Sequence, residues 1–262
     1  AIKLTFTDGS ALELLNAGSA ASTHVVAVPG AGGEQGITGT SVNQAPGDVD
    51  FGTAATVLGV EWHSAADFLA DGLSMSASFS TDSGAAKAAA ARLENSWGVG
   101  ATYVTSAGDT ALTIGGGIGA GEIANLNTQA SADKSGFNIG VSAVTGDLTV
   151  GLGYGDGDTF VSSTAAGSNR EVDGSVLKAG LSYVTGDITL ALGVTSGEAK
   201  DGAFGTPGTS DDSSDSTSAS VTYAVASGVS AVLGYTTVDR ANDGASTTNG
   251  GSAWYVGATM SF

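Results

Sequence analysis

The sequence predicts an all-β chain, folded as a transmembrane antiparallel up-and-down β-barrel, from alternating apolar side chains, recurring turn signals and connections that alternate in length. In the stretch 188–195, ITLALGVT, every second residue is a larger apolar one, and Thr, Ala or Gly stands between. The stretch 148–154, LTVGLGY, repeats this pattern, and each copy follows a Thr-Gly-Asp turn signal. One strand face is therefore apolar and the other small or polar.

About eleven such segments follow one another from Thr56 onward, each near the roughly nine to eleven residues of a tilted strand that crosses a bilayer. They are TVLGVEWH, GLSMSASFS, NSWGVGATYVT, TALTIGGGIGAG, SGFNIGVSAV, LTVGLGYG, GSVLKAGLSYV, ITLALGVTS, STSASVTYAV, VSAVLGYTTV and SAWYVGATMSF. Many glycines fall on the non-apolar face, and this favours a water-filled lumen over a packed core. They include Gly98, Gly100, Gly115, Gly117 and Gly180.

Connections between these segments alternate between short and long. The short ones are 106–109, 145–147, 185–187, 226–228 and, as the longest of this class, 64–71. The long ones, rich in acidic or small residues, are 81–94, 122–134, 156–173, 197–215 and 238–251. Because only a closed barrel satisfies the backbone of β-strands in lipid, this asymmetry predicts an outer-membrane barrel with its apolar face toward lipid.

The amino-acid composition argues against several classes of function. The 262 residues carry 26 Asp and Glu against 8 Lys and Arg, a net charge of −18, which argues against nucleic-acid binding and favours cations. There is no cysteine, so a thiolate metal site is excluded. The start of the chain does not read as a signal peptide, so one has been removed or the sequence starts late.

A region rich in Gly, Ala, Ser and Thr, residues 16–55, separates the first segment from the others and carries Glu34, Asp48 and Asp50. A loop of this length is usually functional. The preceding stretch, IKLTFTDGSALELL, alternates as one strand before a Thr-Asp-Gly turn signal, which brings the expected count to about twelve strands.

The C-terminal SAWYVGATMSF ends in Phe262 and resembles a terminal strand signal of outer-membrane barrels. LTFTDGSALEL is similar to the strand that enters the constriction loop of porins, and LGVEWHSAADFLADGLSMSASF to the hairpin that leaves it. Together these motifs resemble the alphaproteobacterial outer-membrane porins of the general diffusion porin superfamily. The resemblance implies one domain over 1–262, a sixteen-stranded barrel with about four N-terminal strands missing here, and a homotrimer. A natural barrel of twelve strands is the alternative.

The resemblance also implies a passive, water-filled channel in the bacterial outer membrane for small hydrophilic solutes and ions, in contact with lipid and lipopolysaccharide. Residues expected at its constriction or inner wall are Glu13, Glu34, Asp48, Asp50, Glu61 and Lys178, with Lys3 also inside. Their acidic majority favours cations, and an arginine cluster from the missing strands would face them. The alternative function is a secreted or surface β-solenoid with an adhesive role.

Other motifs support weaker hypotheses. Clustered carboxylates at Asp156, Asp158, Asp211 and Asp212 could bind calcium weakly and bridge lipopolysaccharide phosphates, with plain solvation of acidic loops as the alternative. GGGIGAG, 115–121, is interpreted as a strand, and AAKAAAARLEN, 85–95, as a short helix in a surface loop. No catalytic residue is predicted, because His24 falls in the long loop and His63 beside Trp62 at an expected interfacial position.

Overall fold

The computed structural model describes residues 2–15, 19–31, 59–82, 92–124, 132–161, 170–199, 212–241 and 249–261. They form one sheet of thirteen strands, in which every strand pairs antiparallel with its neighbours in sequence. The strands are β1 Ile2–Thr5, β2 Ala11–Leu14, β3 Gly59–His63, β4 Leu73–Asp82, β5 Arg92–Ala107, β6 Thr110–Ala124, β7 Ala132–Thr145, β8 Leu148–Val161, β9 Arg170–Thr185, β10 Ile188–Ala199, β11 Asp212–Ala226, β12 Val229–Ala241 and β13 Asn249–Met260. One helical turn, α1, spans Ala20–Thr23.

The predicted fold class is confirmed, and the eleven segments expected after residue 56 are β3 to β13 in order. The expected single strand before the long loop is instead a hairpin of two, β1 and β2. Gly9 adopts a φ of +87° in its turn, and Asp8 Oδ1 accepts hydrogen bonds from the backbone and hydroxyl of Ser10 at 2.9 and 2.7 Å. Thirteen strands are therefore described against about twelve expected, and sixteen for a full barrel stays a prediction.

Short connections lie at one end of the sheet, as the sequence predicts. Gly108, Gly146 and Gly186 each begin a two-residue Gly-Asp turn with φ near +60°, a conformation that suits a tight hairpin with glycine first. The wider turn between β3 and β4 is closed by Asp67 Oδ1, which accepts a hydrogen bond from the Gly72 amide at 2.5 Å. The strand ends that flank the long connections lie at the other end of the sheet, so the alternation in length is confirmed.

All five predicted long loops are shortened in the structure, because the strands on both sides extend into them. Strand β8 continues to Val161 and β9 begins at Arg170, so both ends of the loop expected over 156–173 are strand, and GDGDT belongs to β8. Strand β5 begins at Arg92, so the end of the helix expected over 85–95 is strand, while 85–91 lie outside the described residues. GGGIGAG lies in β6, as predicted.

The sheet has one apolar face, on which large side chains are exposed. Tyr103, Tyr183 and Tyr223 stand near the short turns, and a second aromatic band lies toward the other end. That band includes Phe79, Trp97, Phe137, Tyr154, Tyr235 and Trp254. Aromatic belts that flank an apolar zone are typical of barrel walls in lipid. Among the described residues, no helix is long and apolar enough to cross a membrane. The antiparallel order disfavours a solenoid, whose coils pair in parallel.

Candidate pore-lining site

The segment Ser19–Ala31, the start of the long loop, lies against the opposite face of the sheet, here called the loop-bearing face. Its path is traced by the strand glycines that it touches, at which an added methyl group would meet it. A methyl on Gly117 of β6 would lie 2.6 Å from Ala21 Cα, and one on Gly151 of β8 would lie 2.7 Å from Pro29 Cδ. One on Gly193 of β10 would lie 3.2 Å from Gly30 Cα. The segment therefore crosses the strands one after another.

The inward glycines consequently have a role beyond the one predicted. Gly100 and Gly180 could not carry a methyl group without displacing the carbonyl oxygens of Ala20 and Pro29. Ala20 and Ala21 are 0% exposed on this wall. In this sector the glycines make room for the backbone of the segment.

Hydrogen bonds from several strands attach α1 to the wall. The Ala20 amide donates to Ser78 Oγ of β4 at 2.9 Å, and Asn138 of β7 donates to the Ala21 carbonyl at 2.8 Å. Thr23 Oγ1 donates to Glu61 Oε1 of β3 at 2.6 Å. These bonds satisfy polar groups of a short helix that could not be stable alone.

Both histidines of the chain meet at one serine. His24 Nε2 lies 2.9 Å from Ser76 Oγ, and His63 Nδ1 lies 3.0 Å from the same oxygen. His24 Nδ1 lies 2.8 Å from Thr102 Oγ1. Burial lowers the pKa of His24, with His63 as a second cause, so the fold favours its neutral form. His63 therefore lies on the loop-bearing face and not at the expected lipid interface.

A row of charged residues runs across β1, β2 and β3 on this face. Lys3 pairs with Glu13, and Glu13 with Glu61, in the strand register. Lys3 Nζ lies 2.8 Å from Glu13 Oε1, while His63 lies 3.7 Å from Glu13 through Nε2 and 3.9 Å from Glu61 through Nδ1. Glu61 is 2% exposed, since α1 covers it. Its carboxylate therefore anchors the loop.

The other predicted site residues do not belong to this row of charged residues. Lys178 lies on β9, two residues before Gly180 and on the same face. Asp156 lies on the apolar face of β8, where its carboxylate accepts a hydrogen bond from the Tyr154 hydroxyl at 3.0 Å. Glu34, Asp48, Asp50 and Asp211 lie outside the described residues, as do the side chains of Asp158 and Asp212.

Sequence reasoning missed the histidine, serine and threonine cluster. A signal for His63 was present, since it stands two residues after Glu61 and strand alternation places both on one face. His24 carries no comparable signal, because its segment has no regular period.

Comparisons with known proteins agree with this architecture. The family profile described as Gram-negative porin matches residues 16–244. Outer-membrane expressed OmpT of Vibrio cholerae is similar at a TM-score of 0.55 and 15% identity, over 96% of this chain and 76% of that chain. A porin refined at 1.8 Å resolution gives 0.58 and 18%, over 97% and 77%. The channel DcaP of Acinetobacter baumannii gives 0.52 and 13%, over 82% and 68%.

At these identities the structural matches establish the fold alone, and no curated protein matches the chain. The family profile spans most of the sequence, from the long loop through β12. The chain therefore belongs to the Gram-negative porin family, whose members are channels of the outer membrane.

Proposed function

We propose that this porin is a passive, water-filled, cation-preferring channel of the alphaproteobacterial type for small hydrophilic solutes, and that residues 16–55 set its aperture. The observation that supports this proposal is the course of Ser19–Ala31 across the loop-bearing face, from β4 to β10. A loop attached to the wall over this distance reduces the open cross-section of a barrel.

Cation preference follows from charge near such a constriction. Glu34, Asp48 and Asp50 come after the attached segment in the same loop, and the chain carries a net charge of −18. Carboxylates in a narrow passage with low-dielectric walls attract cations more strongly than they would in bulk water. Glu13 contributes on the wall, where its partner Lys3 offsets part of its charge.

Bilayer recordings test this function. Replacing Glu34, Asp48 and Asp50 by Gln or Asn should lower the cation-to-anion permeability ratio, most at low salt where screening is weak. The matched control neutralises Asp201 and Asp211 of another long connection together with Asp212 at the start of β11, with the same change in charge and little expected effect. An unchanged ratio and conductance in the first variant would remove the constriction role of 16–55.

We also infer that the short turns face the periplasm and the acidic long connections the cell exterior. Proteolysis of intact cells should then cut within 162–169 and spare the turn at Gly146. Cleavage at Gly146 alone would show that the orientation is the opposite of the one inferred. Weak calcium binding near Asp156, Asp158, Asp211 and Asp212, bridging lipopolysaccharide phosphates, belongs to the same exterior surface.

A homotrimer completes the proposal. One similar solved protein is described as the trimer form of OmpT of Vibrio cholerae. In this chain Ala101, Ala219 and Ala231 are half-buried on the apolar face, where small side chains would let neighbouring walls approach closely. A native mass in mild detergent equal to one chain would contradict the trimer.

A further inference from the structure

We propose that Glu13, Glu61 and His63 form a binding site for a divalent first-row transition-metal ion, such as Zn²⁺ or Cu²⁺. Their ligand atoms lie within 4.8 Å of one another on β2 and β3, next to α1. The site is separate from the proposed acidic residues of 16–55, and it does not depend on the ion preference of the channel.

His63 supplies the first argument. Its Nε2 atom is buried and has no hydrogen-bond partner in the described structure, yet it points toward Glu13 Oε1 at 3.7 Å. A buried nitrogen without a partner loses hydration and gains nothing in return. A bound metal ion would provide the missing partner at a distance of about 2.0 to 2.1 Å.

The hydrogen-bond chain beyond His63 fits a ligand. A metal at Nε2 requires the proton to be on Nδ1, where it can be donated to Ser76 Oγ, 3.0 Å away. Ser76 can then donate to His24 Nε2, and His24 Nδ1 to Thr102 Oγ1. Metal-binding histidines usually donate their second N–H in this way, and the donation orients the ring.

Glu61 supplies the second argument. Its side chain is 2% exposed, and a buried carboxylate is costly unless its charge is compensated. Thr23 donates one neutral hydrogen bond, while the imidazole of His63 lies 3.9 Å away. Lys3 is directed to Glu13, not Glu61. A divalent ion between the two carboxylates would balance the charge that these contacts leave.

The donor set indicates the class of metal. One imidazole and two carboxylates suit Zn²⁺ and Cu²⁺, whereas Ca²⁺ and Mg²⁺ prefer six or more oxygen ligands. In a tetrahedral site of this kind, ligand atoms lie about 3.3 Å apart. The 3.7 Å between His63 Nε2 and Glu13 Oε1 is close to that spacing.

Zn²⁺ competition with a chromophoric chelator, on the folded full chain in detergent, tests the site. We expect one Zn²⁺ per chain in wild type, and at least about 100-fold weaker binding in Glu61→Gln and His63→Gln. Glu13→Gln is a milder change at a partly exposed position, and it should weaken binding similarly. This variant keeps the test valid if Glu61→Gln or His63→Gln fails to fold. The control Glu198→Gln, on β10, removes the same charge elsewhere and should bind as wild type.

Cu²⁺ electron paramagnetic resonance separates a ligand from a supporting residue. Nitrogen hyperfine splitting from one imidazole should appear in wild type and in His24→Gln, and should vanish in His63→Gln. Absence of Zn²⁺ binding in wild type, or equal binding in wild type and in the Glu13, Glu61 and His63 variants, would overturn the proposal. Splitting that is lost in His24→Gln and kept in His63→Gln would overturn it as well.

Discussion

Two sectors of the loop-bearing face hold the same segment by opposite means. Across β5 to β10 the wall offers mainly glycines, with one hydrogen bond from Asn138 of β7, and the segment approaches the strand backbone where side chains would otherwise stand. Across β3 to β5 the wall offers Glu61, Ser76, Ser78 and Thr102, whose side chains bond the segment directly. The first sector holds the segment by close packing against glycines, and the second holds it by side-chain hydrogen bonds. The hydrogen bonds of the polar sector therefore fix where the segment lies along the loop-bearing face. The glycines fix how closely it approaches the sheet.

The largest expected effect comes from filling the glycine sector. Gly117→Ala with Gly180→Ala should destabilise the attached segment by roughly 2 to 4 kcal/mol, because each methyl would overlap backbone atoms of the segment. Equilibrium unfolding in detergent measures this change. A nitroxide at Val25→Cys, which is 56% exposed in a cysteine-free chain, should report a more mobile segment.

Gly257→Ala is the matched control for that pair. A methyl there would lie 3.6 Å from Val232 Cγ1, an ordinary contact. Its stability should be unchanged or higher by up to about 1 kcal/mol, since alanine has less backbone freedom to lose. Equal losses in the pair and in the control would show that the glycines do not form a path for the segment.

Removing one bond of the polar sector should have the next largest effect. Thr23→Val keeps the shape of the side chain but removes the hydrogen bond that Thr23 donates to the buried Glu61 carboxylate, at a cost of about 1.5 to 3 kcal/mol. Thr23→Ser keeps the hydroxyl and should behave nearly as wild type. The same nitroxide at residue 25 measures both variants, and matching spectra for Val and Ser would contradict the anchoring role.

A pH change should act more weakly, through His24. Burial lowers the pKa of His24, so the detached segment binds more protons than the attached one. Attachment should thus be strongest above the usual histidine pKa of about 6.5, and should weaken as pH falls through the lowered value. Ser76 and Thr102 contact the ring, and His63, which shares Ser76 Oγ with His24, is the titratable group that acts on the pKa of His24.

Nitroxide mobility at residue 25, measured from pH 8 to pH 5 with a chelator present, checks that expectation. His24→Gln should reduce the pH dependence, because the neutral amide cannot take up the proton. A profile that is identical in wild type and in His24→Gln would assign the dependence to another group.

The smallest effect is expected at the β1–β2 turn. The Ser10 hydroxyl and amide both donate to Asp8 and lower its pKa. Ser10→Ala should slightly speed amide exchange in this hairpin above the usual pKa of aspartate, with no change as pH falls well below it. Ser10→Thr retains the hydroxyl and serves as control, and faster exchange in both would point to packing instead.

The strands were predictable because alternation and turn chemistry are local properties. The eleven segments after residue 56 and their Gly-Asp turns follow directly from residues such as Gly146 and Gly186. The position of Ser19–Ala31 was not predictable, because it depends on glycines more than seventy residues away in sequence. The burial of Glu61 was missed for the same reason, since α1 covers it from a distant part of the chain.

The hydrogen bond from Asn138 to the Ala21 carbonyl joins residues 117 positions apart, whereas each strand pairs with its neighbour in sequence. The sheet can grow by closing one hairpin after another, each with a small loss of chain entropy. The loop segment has no complete surface to rest on until β10 has joined. Attachment of the segment is therefore a late step in assembly. Until then, the strand glycines that the segment contacts stay uncovered.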